Sequence, residues 1–382
     1  MANVLSAERR LEVLAALVNG TSIRAASRMT GVHQDTIGRF ALAMGEGCAR
    51  LHDRIVRDLS CALVDLDEQH SWCSKRQVRV DPAKDDESIV GEQWTWAAIC
   101  RTSKLVIAWH VGKRDATSAD VVVAETRARL VVMPQITTDG LDLYEAPILL
   151  YFGYAVPYVQ TIKRYANAGG EVDTRAEGYS HQKGVNFIEK RVIYGAPDLG
   201  KATTYAIERS NLTNRQWNAR LHRRTLAFSK DVARHAAAIS LGYVYRNLCH
   251  IQRNMRVTPA MAAGVTDRVW SLPELMEAAL TEPAGEERRE FKPLVIPEPP
   301  PEVTARALPN GRGFLRALPG GNAPAPAPAP APPPAVPAVA AVPAAPPAEE
   351  PTGQLDLLAW RPKVREVPPK GAQLTLFDEP TN

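Results

Sequence analysis

Apolar side chains recur at helical spacing through the first fifty residues. Leu11, Leu14, Ala15 and Val18 share one face, and Gly20 is placed to end that helix. Ser22 is an N-cap for a second helix through Met29, and Gly31 supplies a turn. Over residues 33–44, Ile37, Phe40, Ala41 and Met44 fall on one face and predict a third helix. Its outward polar residues are Gln34, Asp35 and Arg39. Residues 1–50 therefore read as a helix-turn-helix DNA-binding domain, with the third helix in the recognition role.

Beyond residue 60 the pattern alternates between strand and helix. Residues 62–66 form an apolar strand interrupted by Asp65 and Asp67, which alternation puts on one face. Strands near residues 94–101 and 105–111 suit a hairpin around Thr102 and Ser103. A helix over 120–132, a strand over 135–138, a helix over 141–152 and a strand over 158–163 follow. Residues 166–200 are Gly-rich and charged and read as an insertion or long loop, and helices resume over 203–224 and 230–248. This order predicts an α/β domain over residues 60–285 rather than a sandwich.

Residues 286–382 change character, because prolines dominate and too little apolar surface remains to fold. The segment reads as a disordered Pro/Ala-rich tail of polyproline II character. Residues 323–351 would reach roughly 90 Å in that conformation. The uncharged run over 323–348 is long enough for a bilayer, but its alternating prolines remove backbone donors and argue against a membrane span. Hydrophobicity returns in two short pieces, GQLDLLAW and AQLTLF.

A formal net charge of +4 says little about partners, but its distribution says more. Between Glu208 and Arg256 ten basic residues face only Glu208 and Asp231, a cluster that suits a phosphate backbone. The five cysteines are odd in number and none has Cys-x-x-Cys spacing. That argues against a disulfide framework or zinc finger and suits a reducing cytoplasm. The N-terminal stretch has acidic residues and no apolar run of signal-peptide length.

Three acids stand where a two-metal phosphoryl-transfer enzyme needs them. Asp67 lies in the first strand, Asp139 ends a later strand before a Gly-containing turn, and Glu208 begins the basic helix. Arg215 lies two turns beyond Glu208 on the same face. Spacing alone does not single these three out, since a chain of this size carries many acids.

The strings around them resemble the insertion-sequence-one (IS-one) family of bacterial transposases. The matches are DEQHSW (67–72), TDGLDLY (138–144) and IERSNLTNRQWNARLHRRTLAFSK (207–230). NLCHIQRNMRVTPAMAAGVTD (247–267) and SIRAASRMTGVHQDTIGRF (22–40) extend the resemblance over residues 1–285. It implies a ribonuclease-H-like mixed-sheet core with Asp67, Asp139 and Glu208 as a DDE triad. The triad would hold two Mg²⁺ ions, with Mn²⁺ able to substitute. Arg215 matches the family's basic position and would contact DNA phosphate, and Asn211 would touch substrate. Arg209, Arg223, Arg224 and Lys230 from the same string, with Gln34 and Arg39, complete the DNA-binding set. The implied partners are double-stranded DNA at the element's ends and at the target, and a dimer or larger assembly on DNA. The chain departs from the family in lacking a cysteine-rich finger, in the length of 166–200 and in its tail.

Asp65 shares the Asp67 face, and the DEQ context favours Asp67; Glu68 and Asp142 are assigned to the surface or to support. His235 is read as structural rather than catalytic, and Trp72, Trp94, Trp96 and Trp109 as core. In the tail, Gln373, Leu374, Leu376 and Phe377 resemble the peptide by which bacterial proteins bind the replicative sliding clamp. Gln354, Leu355, Leu357 and Leu358 form a weaker copy. Two other functions fit the residues: a non-catalytic helix-turn-helix regulator, and a ribonuclease-H-like nuclease acting on other junctions.

Overall fold

The computed structural model describes residues 5–166, 172–173, 185–284, 290–296, 305–307 and 314–316. Three helices open the chain: α1 (Ala7–Val18), α2 (Ile23–Thr30) and α3 (Gln34–Ile55). Ser6 and Ser22 cap the first two, accepting from the backbone N–H of Arg9 and Ala25, and Gly31 ends α2 at a φ of 70°. Val13, Ala16, Ala26, Val32 and Ile37 form their own small core.

The third helix does not stop at Met44 but runs 22 residues. Beyond residue 44, Gly45 and Gly47 are points of close backbone contact. A Cβ on Gly45 would lie 2.1 Å from the Ala237 carbonyl oxygen of α7 (Val232–Leu248). One on Gly47 would lie 1.9 Å from the Ala279 carbonyl oxygen of a later helix, Leu272–Thr281. Through this stretch α3 joins the main core, where Met44, Cys48 and Leu51 pack with sheet residues. Gly45→Ala is expected to cost about 1–3 kcal/mol, as overpacking does. Gly38→Ala, with open space around its Cβ, is expected to be neutral or slightly stabilising. Urea midpoints of the two variants check the contrast.

The sheet contains β1 (Leu63–Cys73), β2 (Gly91–Cys100), β3 (Val106–Gly112), β4 (Gln135–Thr138), β5 (Tyr158–Ala166), β6 (Val172–Asp173) and β7 (Val185–Tyr194). Its order is β3-β2-β1-β4-β5, with β6 and β7 both paired to β5. β1, β2 and β3 form an antiparallel meander, whereas β1, β4 and β5 run parallel. α4 (Ala116–Ala128) and α5 (Glu145–Phe152) connect the parallel strands. α6 (Tyr205–Trp217) and α7 follow, then α8 (Pro259–Ala262) and α9 (Leu272–Thr281).

Four expectations change. β1 extends seven residues past Leu66, because its polar side chains find partners. α4 starts earlier, after the Asp115 cap, and ends at Ala128, ahead of the bridge between Leu130 and Leu59. Part of the expected 166–200 loop is β7, antiparallel to β5 and charged at Glu189, Lys190 and Arg191 as exposed edge strands often are. The basic helix ends at Trp217, so Arg223, Arg224 and Lys230 sit in the loop before α7.

Cys61 and Cys100, 39 residues apart, are joined as a disulfide where none was expected; the β1–β2 pairing brings them together. Cys48, Cys73 and Cys249 are free. Residues 290–296 belong with the first unit, since Val295 pairs through its backbone with Val131 and Met133. In the second unit, residues 302–382, a short hairpin of β8 (Ala305–Ala307) and β9 (Phe314–Arg316) is described. Among the described residues no helix is long and apolar enough to cross a membrane. Gln354, Leu355, Leu357, Leu358, Gln373, Leu374, Leu376 and Phe377 lie outside the described residues.

A candidate metal centre where β1 passes the end of β4

β1 outruns β4. Their parallel register ends at Asp65↔Thr137, and Asp139 follows β4 directly. The carboxylates of Asp67 and Asp139 therefore meet at the open side of β1, next to Glu68. Oxygens from Asp67, Glu68 and Asp139 lie within 4.8 Å of one another. Sequence reading placed Glu68 outside the set, but at the end of β4 its carboxylate reaches the same point from the other face of the strand.

Glu208, on the first turn of α6, is not within that group. Lys163 of β5 places its Nζ 2.5 Å from both Glu208 oxygens, and the Thr204 hydroxyl donates to the same carboxylate at 2.5 Å. The negative charge of Glu208 still raises the pKa of both Asp67 and Asp139. Of the three expected acids, two converge and the third stands beside them on a lysine.

The remaining contacts separate the two acids on β1 that sequence left in competition. Asp65 is fully buried and held by the Arg101 guanidinium, whose Nε donates at 2.9 Å. Asp67 accepts from Asn211 Nδ2 at 2.8 Å, and Asp139 from the Leu141 backbone N–H at 3.0 Å. Neither Asp67 nor Asp139 forms an ion pair among the described residues. Burial pushes the Asp67 pKa well above the carboxylate range, and the charges of Glu68, Asp139 and Glu208 add to it. Asp139 is raised mainly by burial as well. Glu68 reaches about 7, through burial and Asp139, although the Arg114 guanidinium at 2.6 Å and the Tyr144 hydroxyl at 3.3 Å oppose the shift. Crowded carboxylates, Glu68 buried and Asp67 and Asp139 half-buried, with no protein cation on the latter two, form an oxygen donor set that fits a hard divalent ion.

Below the acids, the same face of β1 is a hydrogen-bonded polar ladder that fixes the helices. Gln69 donates to the Asn211 carbonyl oxygen at 3.2 Å and accepts from Asn214 Nδ2 at 3.0 Å, docking α6. Ser71 hydrogen-bonds His235 Nε2 at 2.9 Å, and Ser229 the other ring nitrogen at 2.7 Å. His235 is buried and its pKa falls to about 4, chiefly by burial, so it serves as a strut between β1 and α7. Asn211 is buried beside Asp67, and its own Oδ1 has no protein partner. Apart from Ser229–His235, six residues apart, these contacts lack a sequence signal, because each joins residues far apart in the chain.

The residues expected at DNA divide by position. Arg209, Arg223, Arg224, Lys230, Gln34 and Arg39 are exposed. Arg215 is half-buried, with a pKa lowered by burial first and then by Arg223, while Asp67 opposes the shift. Arg246, counted with the basic cluster, is instead buried and donates to the Ser210 carbonyl and hydroxyl oxygens. Trp96 is fully buried and Trp109 donates to Ser240, as core residues do. Trp72 and Trp94 are half-buried against Phe228 and His70.

No known family's sequence profile matches the chain, and no curated protein matches it. Among solved structures, a pre-cleavage Mos1 transpososome is similar over 41% of this chain and 60% of that one, at 11% identity and a TM-score of 0.15. A likeness of that size carries no argument about function.

Proposed function

We propose that this chain is a DDE transposase of an insertion sequence, of the IS-one kind its motifs resemble. The observation that carries the reading is the meeting of Asp67 and Asp139, with Glu68, where β1 runs past the end of the adjacent parallel strand β4. The β3-β2-β1-β4-β5 order, with three antiparallel and then parallel strands, supports a ribonuclease-H-like core.

Asp67, Asp139 and Glu208 would hold Mg²⁺, with Mn²⁺ able to substitute. Bound there, the ions would activate the attacking oxygen and stabilise the leaving one. Asn211 fixes the rotamer of Asp67, and Arg114 holds Glu68 at the edge of the group. Arg215, Arg209, Arg223, Arg224 and Lys230 would take the phosphate backbone of double-stranded DNA. Gln34 and Arg39 on α3 would read the terminal repeat. The 3′-OH freed at the element's end would attack the target strand. Two ends must be held together, which implies a dimer or more on DNA. The tail peptides at 354–358 and 373–377 would tether the assembly to a replicative sliding clamp, two copies raising avidity.

The test uses the full chain and the DNA flanking its own reading frame. Incubation with Mg²⁺ should yield target strands covalently joined to the flanking 3′ end, and EDTA should abolish the product. Binding of that DNA without nicking or joining in Mg²⁺ or Mn²⁺ would sink the proposal and leave a regulator.

A further inference from the structure

Three cations sit on acids around the candidate centre, and they differ in how easily they can leave. Arg101 on Asp65 is 11% exposed against 0%, and Arg114 on Glu68 is 44% against 2%. Lys163 and Glu208 are 31% and 40% exposed, so both members of this pair already face water. An ion pair of that kind contributes about 0–1 kcal/mol. The ammonium is also a compact charge on a flexible stem, able to swing without a fixed donor geometry. Lys163 rises from β5, next to β4 with Asp139 at its end, and its charge lowers the Asp139 pKa. It is thus placed at the centre without belonging to a buried pair.

We propose that Lys163 is a positioning residue that exchanges Glu208 for a DNA phosphate when a divalent ion binds, and so couples metal binding to DNA binding. The inference rests on the two-metal reading above. In the structure Glu208 is paired with Lys163 and lies outside the group formed by Asp67, Glu68 and Asp139. An ion drawing Glu208 into the group frees the ammonium within reach of the phosphate that the same centre handles. Coupling of this sort is reciprocal, so DNA should tighten metal binding by the factor that metal tightens DNA binding.

The experiment measures binding of a short mixed-sequence duplex to the full chain as a function of NaCl, in EDTA and in Ca²⁺, which supports binding without turnover. For wild type the log–log slope should steepen in Ca²⁺ by about 0.9, one additional phosphate contact. Lys163→Met should lack that increment and match wild type in EDTA; Lys163→Arg should restore part of it. Glu208→Gln, which releases the lysine without metal, should show the steeper slope already in EDTA, and Glu208→Gln with Lys163→Met should lose it. Equal loss of slope by Lys163→Met in EDTA and Ca²⁺ would make Lys163 a permanent DNA contact and overturn the exchange, as would no loss in either. Asp67→Asn separates the two levels. If it keeps the full Ca²⁺ response, the two-metal reading fails; if it loses the response while Lys163→Met keeps it, only the exchange fails.

Discussion

Asp67→Asn, Asp139→Asn and Glu208→Gln should each lower strand joining by about a thousand-fold or more, and the two aspartate variants should leave duplex affinity in EDTA nearly unchanged. Metal clamping of the reacting oxygens supplies several kcal/mol of transition-state stabilisation, and about 4 kcal/mol corresponds to that factor. The amides keep size and shape, so the folding consequences also differ in sign from ordinary core damage. Asp67 lacks a protein cation, and burial with three neighbouring acids disfavours its charge. Neutralising it should raise the thermal midpoint of the metal-free chain while removing activity, a trade expected where a site stores repulsion for function. The measurements are gel-resolved joining with Mg²⁺, duplex affinity in EDTA, and thermal unfolding in EDTA. Near-normal joining by any one of the three variants would remove that residue from the triad.

The elements that could be read in sequence were those set by local pattern. β4 falls on the expected residues 135–138, and the Ser22 cap and Gly31 turn stand where their chemistry placed them. Readings failed where distant partners decide the outcome. The third helix reads only to residue 44 from its apolar face, whereas it continues because Gly45 and Gly47 let it pack against α7 and α9. β1 appears to end at Leu66 because Gln69, Ser71 and their neighbours look too polar for a core strand. Asn214, Asn211 and His235, more than 140 residues away, satisfy them. The choice of Asp67 over Asp65 rested on motif context alone. Arg101 gives it a physical cause, since an acid fully engaged by a guanidinium is not free to take an ion. Glu68 reads in sequence as a surface or supporting acid, yet its carboxylate meets those of Asp67 and Asp139 past the end of β4.

Arg101→Ala should damage the fold more than the glycine substitution above, at about 3–5 kcal/mol near pH 8, as expected when one partner of a buried pair is lost. The guanidinium binds Asp65, the Thr137 hydroxyl at 2.9 Å, and the carbonyl oxygens of Lys201 and Thr203. It therefore ties β1 and β4 to the segment that starts α6, where Thr204 and Glu208 follow. The loss should depend on pH with a defined sign. Asp65 has a folded pKa of about 6, raised mainly by burial although Arg101 opposes the shift, against an ordinary value of 3.8. The native state therefore holds more protons across that window, and wild-type stability declines as pH rises through it. Removing Arg101 takes away the largest opposing effect, so the folded pKa climbs further and the decline continues to higher pH. Near pH 5, where Asp65 is already largely protonated in wild type, the two proteins should differ least; the gap should widen steadily toward pH 8. Arg101→Lys should recover little, because one ammonium cannot serve a carboxylate, a hydroxyl and two carbonyls in the guanidinium's planar arrangement. Urea unfolding of wild type and both variants at several pH values measures the gap. A difference independent of pH would mean that Arg101 acts through packing and its carbonyl contacts rather than through the Asp65 charge.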